Sequence, residues 1–216
     1  MSEEDSYPLK DLEVYLDWFD AGDEKFRTMF RESMVQQFNF SPRFADRFLK
    51  DGEIIQLESS SIEVIQTPGH SPGHLAFFLK ESGILILGDY DLSSFGPWYG
   101  DTYSSIKDTI KSINRLRNIP AKLWLTSHEK GIYTENPGEI WDAYINKIDE
   151  RECELFDLLK NPKTMHEIIH SWIIYKRERQ PIEFYESAER ALISKHLEKL
   201  IQEDKVVKEG ETFVRA

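Results

Sequence analysis

Apolar residues follow two different spacings along this chain. From Tyr7 to about Phe40 they recur every third or fourth residue, which predicts two amphipathic helices broken at residues 21–23. The second helix carries an apolar stripe at every fourth position, a pattern more typical of core packing than of a cofactor site. That stripe consists of Phe26, Phe30, Met34 and Phe38.

After Ser41-Pro42 the apolar residues form short runs bounded by turn residues, which is typical of strands. The run Ile84–Leu87 is continuously apolar, as expected of a strand buried on both faces. The four predicted strands lie at residues 54–57, 62–67, 75–79 and 84–87. A helix at about 104–116, a strand at 122–126 and a helix opening near Pro137 follow.

From about Asp149 the pattern is helix, short helix, long helix and a small hairpin around Glu209-Gly210-Glu211. Three helices followed by a hairpin are the layout of a winged helix. The sequence therefore predicts two domains, residues 1–148 and a winged-helix domain at 149–216. The tail carries 15 acidic and 12 basic side chains, a balance of −3, which favours packing against protein over binding nucleic acid.

Net charge, cysteine content and the length of apolar stretches indicate which partners and which cellular location to expect. The net charge of −12 disfavours nucleic acid as a partner without excluding a local basic groove. Cys153 is the single cysteine, so no intrachain disulfide is expected. The opening residues resemble no secretory signal, and no stretch reaches the roughly 18 apolar residues of a membrane span. These features predict a cytoplasmic protein with no membrane partner.

Three polar residues stand where predicted strands end, the place where open sheets tend to bind ligands. His70 lies in Thr67-Pro-Gly-His-Ser-Pro-Gly-His74, Asp89 follows Leu87-Gly88, and His128 follows Thr126-Ser127. Imidazole and carboxylate are ligands that zinc prefers, and a carboxylate can bridge two ions. Singly, each residue has a plain structural alternative in a turn, a loop cap or a strand end.

This order of motifs over roughly residues 51–128 resembles the carboxy-terminal part of metallo-β-lactamase-fold hydrolases. The resemblance implies an α/β fold, an αββα sandwich here incomplete, with His70 on a first metal, His128 on a second and Asp89 bridging, Asp89 also being able to orient the nucleophile. His74 matches a position that supports the site without binding metal. The tail is similar to the winged-helix extension of the lactamase-like endoribonuclease branch.

The departure from the family concerns its His-x-His-x-Asp-His motif, which should precede His70. No histidine precedes His70 in this sequence. The chain is therefore expected to be a truncated fragment of a longer hydrolase, the alternative being a natural short form with a decayed site. The resemblance implies a two-metal zinc site, with iron or manganese as alternatives, and the missing ligands make a chain without metal the other expectation.

A competing motif, His166-Glu167-Ile168-Ile169-His170, matches the His-Glu-x-x-His of zinc proteases. Against that hypothesis, Thr164 and Glu167 form a capping-box pattern that gives Glu167 a structural task. The loop of residues 93–100, here called the aromatic loop, follows Asp89 and offers Phe95, Trp98 and Tyr99 either to a substrate pocket or to packing.

The function implied by the resemblance is hydrolysis of an ester, thioester, lactam or phosphodiester by metal-activated water. The expected substrate is a small molecule, and activity of this chain alone is expected to be impaired or absent. A homo-oligomer or a missing amino-terminal segment is expected to complete the fold. The alternative is a non-catalytic binding protein that acts through the winged helix.

Overall fold

The amino-terminal helices cover one end of the molecule. A computed structural model describes residues 1–19 and 24–216. The chain starts with a 3-10 turn, Glu4–Ser6, followed by α1 (Leu12–Trp18) and α2 (Glu24–Gln36). The predicted helix break at residues 21–23 lies outside the described residues. In the apolar stripe, Phe26 in the first turn of α2 and Met34 in its last turn are buried, whereas Phe38 lies beyond the end of the helix and is exposed.

A six-stranded sheet forms the centre of the chain, and its strands lie in sequence order. Neighbouring strands are antiparallel except for the fourth and fifth, which are parallel and joined through helix α3 (Ile106–Arg117). The predicted α/β class is therefore confirmed. The strands are β1 (Ile54–Gln56), β2 (Ser61–Gln66), β3 (Leu75–Leu79), β4 (Ile84–Ile86), β5 (Leu123–Leu125) and β6 (Ile132–Tyr133).

One face of this sheet is better covered than the other. Leu85 and Leu87 are fully buried in a core shared with α3. Ile84 and Ile86, which point to the opposite face, are only partly buried. The expectation of a strand buried on both faces is thus wrong for β4, because the described elements pack closely on one side of it.

Helix α4 (Glu139–Leu158) links this core to a second one. Trp141 and Tyr144 pack against the sheet, whereas Ile148 and Leu155 belong to the core of the carboxy-terminal helices. The helix has no glycine or proline within it and runs unbroken through the predicted boundary between residues 148 and 149. The two cores therefore share one rigid element, and the division into domains stays a prediction.

The tail has the predicted order of elements. A short α5 (Met165–Ile169) and a long α6 (Ile182–Gln202) precede a hairpin, and the second strand of the hairpin pairs with a two-residue strand before α5. These strands are β7 (Lys163–Thr164), β8 (Val206–Glu209) and β9 (Thr212–Arg215). That this layout is a winged helix stays a prediction. Among the described helices, none combines the length and apolar character needed to cross a bilayer.

Candidate metal centre

Three strand ends meet at one edge of the sheet. Strands β2 and β4 both run antiparallel to β3, and β5 runs parallel to β4, so β2, β4 and β5 share one direction. His70, Asp89 and His128 each follow the carboxyl end of one of these strands. The topology therefore delivers all three side chains to the same edge.

The Asp89 carboxylate lies between the two imidazoles. His70 Nε2 is 3.3 Å from Asp89 Oδ2, and His128 Nε2 is 3.2 Å from Asp89 Oδ1. The His128 side chain is 66% exposed, against 22% for His70, so the site is open on the His128 side. The structure thus brings together the three residues that the sequence singled out, with one imidazole beside each carboxylate oxygen.

The donor set matches a two-metal centre in kind but not in number. Two imidazoles and one bridging carboxylate suit zinc, iron or manganese. A catalytic zinc has about three protein ligands besides water, whereas each half of this site offers one imidazole and one carboxylate oxygen. Over residues 1–19 and 24–216, no set of three His, Cys, Asp or Glu side chains is arranged around one ion position.

His74 lies behind Asp89 and contacts its backbone. The Asp89 N–H donates to His74 Nε2 over 3.1 Å, so that nitrogen carries no proton and Nδ1–H faces Thr67 Oγ1 at 2.8 Å. Burial, with a smaller contribution from the His70 charge, lowers the His74 pKa to about 4 and keeps the ring neutral. This is the supporting position that the resemblance implied, and the role itself stays a prediction.

Two glycines allow this close packing. Gly88 has φ +63°, and a Cβ there would lie 2.6 Å from His74 Nε2. Gly69 has φ +136°, and a Cβ there would lie 2.3 Å from the backbone nitrogen of Thr109. Both positions therefore require glycine for space as well as for conformation.

The amino-terminal segment holds the loop that carries His70. The Asp5 carboxylate accepts hydrogen bonds from the Ser71 hydroxyl at 2.5 Å and from the Gly73 N–H at 2.9 Å. The Ser104 hydroxyl donates to the His70 carbonyl from the other side. Sequence reasoning missed Asp5, because no motif marks it and 66 residues separate it from Ser71.

A pocket of about 490 Å³ opens beside His70 and Asp89. Its wall includes Phe77 of β3 and apolar side chains of the amino-terminal segment, among them Leu9, Tyr15, Trp18 and Phe19. Asp101 also lines it, and burial raises the pKa of this carboxyl to about 6, although His70 and a hydrogen bond from Trp98 act in the opposite direction. The pocket can therefore hold an organic group next to two of the candidate ligands, His70 and Asp89.

The aromatic loop packs inward. Tyr99 is fully buried, Phe95 packs on Tyr175, and neither lines the pocket beside Asp89. Arg151 on α4 holds the loop by donating to the carbonyls of Phe95 and Pro97 and to the Tyr99 hydroxyl. Trp98 lines a smaller neighbouring cavity. The loop thus serves mainly as packing.

The His-Glu-x-x-His motif occupies the short helix α5. The predicted capping box is confirmed, since Glu167 and Thr164 exchange hydrogen bonds with each other's backbone N–H groups. Glu167 also pairs with Lys163 at 3.1 Å, and His170 Nε2 lies 2.9 Å from Glu186. The side chain that a protease would need as general base is already engaged in capping the helix.

Fold and site together define an α/β protein with candidate ligands of a metal-dependent hydrolase at one sheet edge. The model of the metallo-beta-lactamase superfamily matches residues 2–128, more than half of the chain. The chain therefore belongs to the metallo-beta-lactamase superfamily.

Two curated relatives carry informative names. The hydroxyacylglutathione hydrolase of Methylococcus capsulatus is 36% identical over 78 residues, which cover 36% of this chain and 29% of that protein. The atrochrysone carboxyl ACP thioesterase of Aspergillus fumigatus is 22% identical over 125 residues, which cover 57% of this chain and 38% of that protein. The chain spans about a third of the length of these relatives.

Solved structures show the same fold. A metallo-beta-lactamase family protein from Thermus thermophilus superposes with a TM-score of 0.69 and 23% identity, covering 100% of this chain and 71% of that one. A beta-lactamase domain protein from Burkholderia ambifaria gives a TM-score of 0.63 and 20% identity, covering 92% and 60%. At these identities the likeness concerns the fold alone.

Proposed function

We propose that this chain carries part of the active site of a metal-dependent thioester hydrolase. The observation that carries the proposal is the position of Asp89, with an imidazole within 3.3 Å of each carboxylate oxygen at one edge of the sheet. Among the substrate classes that the superfamily resemblance implies, the relatives' names favour thioesters. One relative is called a thioesterase, and the hydroxyacylglutathione of the other is a thioester.

His70 would bind one metal ion, His128 the second, and Asp89 both. Bound metal would lower the pKa of a coordinated water to about 7 and polarise the thioester carbonyl. Further metal ligands are needed, because among the described residues no set of three His, Cys, Asp or Glu side chains surrounds one ion position. We propose that a second copy of the chain supplies them, so that the 216-residue chain can assemble the site by itself.

The residues of this chain prepare the site for hydrolysis. His74 fixes the backbone at Asp89, and Asp5 fixes the loop behind His70, so both ligands are held before substrate binds. The aromatic and aliphatic wall of the pocket removes water from a bound thioester and places its carbonyl beside Asp89. Asp89 is also positioned to accept a proton from an attacking water through whichever oxygen faces it.

The test compares two variants of the 216-residue chain. Asp89→Asn keeps the size of the side chain but removes the bridging charge. Asp91→Asn, two residues on, is the matched control, because the Asp91 carboxylate accepts the Ser93 N–H and an asparagine oxygen can do the same. Each protein is supplied with zinc, iron or manganese, freed of excess metal and assayed for bound metal and for thiol release from acylglutathione and S-acyl-N-acetylcysteamine.

We expect metal retention and thiol release in the wild type and in Asp91→Asn. In Asp89→Asn we expect a loss of about 100-fold or more, because removing a group that only supports a metal ligand already costs about 10–100-fold. Thiol release that persists in Asp89→Asn and in the presence of chelator would refute the proposal. So would metal-loaded wild-type protein that cleaves no thioester.

A further inference from the structure

A second, apolar cavity adjoins the pocket of the candidate metal centre. Its volume is about 230 Å³, and it lies between the amino-terminal helices and α6. Phe19 and Asp101 line both spaces, so the cavity lies directly beside the pocket that contains Asp89. Five aromatic side chains form its walls: Phe19, Phe26, Phe30, Trp98 and Phe184.

The cavity is mostly apolar, but one buried hydroxyl group belongs to its lining. Ser187 lines it and is 2% exposed, and its hydroxyl has no hydrogen-bond partner within the described part of the chain. Buried hydroxyls are nearly always bonded, and packed interiors contain few spaces larger than a water molecule. A cavity of this size with a free hydroxyl therefore has the features of a ligand site.

The lining of the cavity suits the acyl chain of a thioester better than a charged thiol carrier. Among the residues that the structure describes, no cationic side chain lines the cavity, and the one titratable side chain in its lining is the acidic Asp101. The carboxylates of glutathione and the phosphate of a carrier arm would find no partner there, whereas an acyl chain would be surrounded by aromatic rings. An apolar cavity of about 150 Å³ holds benzene, so 230 Å³ has room for roughly eight to ten carbons.

We propose that this cavity is the acyl-chain subsite and that the substrate is the thioester of a medium-length, largely apolar acyl group that carries one oxygen substituent far from the thioester. The acyl chain lies between α2 and α6, its carbonyl remains beside Asp89, and Ser187 hydrogen-bonds an oxygen substituent on the distal part of the chain. This inference rests on the proposed thioester hydrolysis for the identity of the ligand, but the subsite can be measured without any hydrolysis.

The experiment measures equilibrium binding of straight-chain carboxylates from acetate to dodecanoate by calorimetry, using the full chain without added metal. Ala191 lines the cavity and is only partly buried, so Ala191→Phe fills the space from its wall. The matched control is Ala143→Phe, at an exposed position on α4. Thermal unfolding of both variants checks that they fold.

Binding of the wild type and of Ala143→Phe should tighten by about threefold to fourfold for each added methylene, the effect of burying one such group, and level off near ten carbons. Ala191→Phe should remove most of this gain. If Ala191→Phe does not fold, the chain-length series of the wild type still decides, because affinity that does not increase from acetate to octanoate would overturn the subsite. Equal slopes in the two folded variants would overturn it as well.

The two proposals fail in different ways. Chain-length-dependent binding that is lost in Ala191→Phe, in a protein that cleaves no thioester, supports the subsite and refutes the hydrolase. Thioester cleavage whose rate is independent of acyl length and equal in Ala191→Phe and Ala143→Phe supports the hydrolase and refutes the subsite.

Discussion

The contact between Gly88 and His74 gives a prediction whose size follows from the structure. Gly88 has φ +63°, and an alanine Cβ there would lie 2.6 Å from His74 Nε2. His74 has little room to retreat, because its ring is buried and its other nitrogen is bonded to Thr67. Gly88→Ala must therefore displace the ring or shift the backbone that leads into Asp89.

Two costs add up in this variant. A non-glycine residue in the left-handed region costs about 1 kcal/mol or slightly more. Losing the buried hydrogen bond between the Asp89 N–H and His74 costs a further 1–3 kcal/mol, an order-of-magnitude range for an unsatisfied group. We expect Gly88→Ala to lower the free energy of unfolding by about 2–4 kcal/mol.

Gly210→Ala is the control. Gly210 has φ +61° and no atom within 4 Å of an added Cβ, so it incurs only the conformational cost. Urea unfolding of the two variants, followed by circular dichroism, measures the difference, and nitrogen chemical shifts of His74 report whether Nε2 remains unprotonated. Equal destabilisation of the two variants, with an unchanged His74 signal, would refute the structural role of the hydrogen bond between the Asp89 N–H and His74.

Two further predictions concern the buried network around α4. Arg151→Met leaves the carbonyls of Phe95 and Pro97 unpaired and removes one of the two hydrogen bonds of the Tyr99 hydroxyl, which keeps His196 as a partner. It should lower the free energy of unfolding by about 3–5 kcal/mol, against less than about 1 kcal/mol for Arg117→Met, which removes an exposed ion pair. Equal losses in urea unfolding would contradict this. Acid should also destabilise the protein. Burial lowers the pKa of His196. Burial alone would raise the pKa of Glu152, but hydrogen bonds from His196 and Lys199 outweigh it and lower that pKa to about 2. Both pKa values in the folded protein lie below the ordinary values of 6.5 for histidine and 4.5 for glutamate. The stability that His196 contributes is therefore present above pH 6.5 and that of Glu152 above pH 4.5, and each is lost as the pH falls below that value. Melting temperatures from pH 7 to pH 3 should fall less steeply in Glu152→Gln than in the wild type, and parallel curves would contradict the assignment.

The strand-end residues of the candidate site could be predicted from the sequence for a physical reason. Apolar runs fix where β2, β4 and β5 end, and the direction of each strand then places His70, Asp89 and His128 at one edge. Local signals are also sufficient for the capping box at Thr164, which depends on residues three positions apart.

Contacts between distant segments could not be predicted in this way. Asp5 supports the His70 loop from a position 66 residues away along the chain. The second, apolar cavity is lined by residues of α2, the aromatic loop and α6. Periodicity shows which face of each helix is apolar, but not which other face it meets. The inward packing of Phe95 and Tyr99 could not be predicted for the same reason. It involves Arg151, and no sequence pattern indicates that this arginine is buried.

The continuity of α4 limits how the chain can be divided. A cut between residues 148 and 149 would sever a 20-residue helix near its middle and leave about four carbonyls and four N–H groups without partners at the new ends. It would also detach Arg151 from the aromatic loop that it holds. Gene fusions or expressed halves that divide the protein at this point should therefore yield insoluble material, and a workable division has to keep α4 whole.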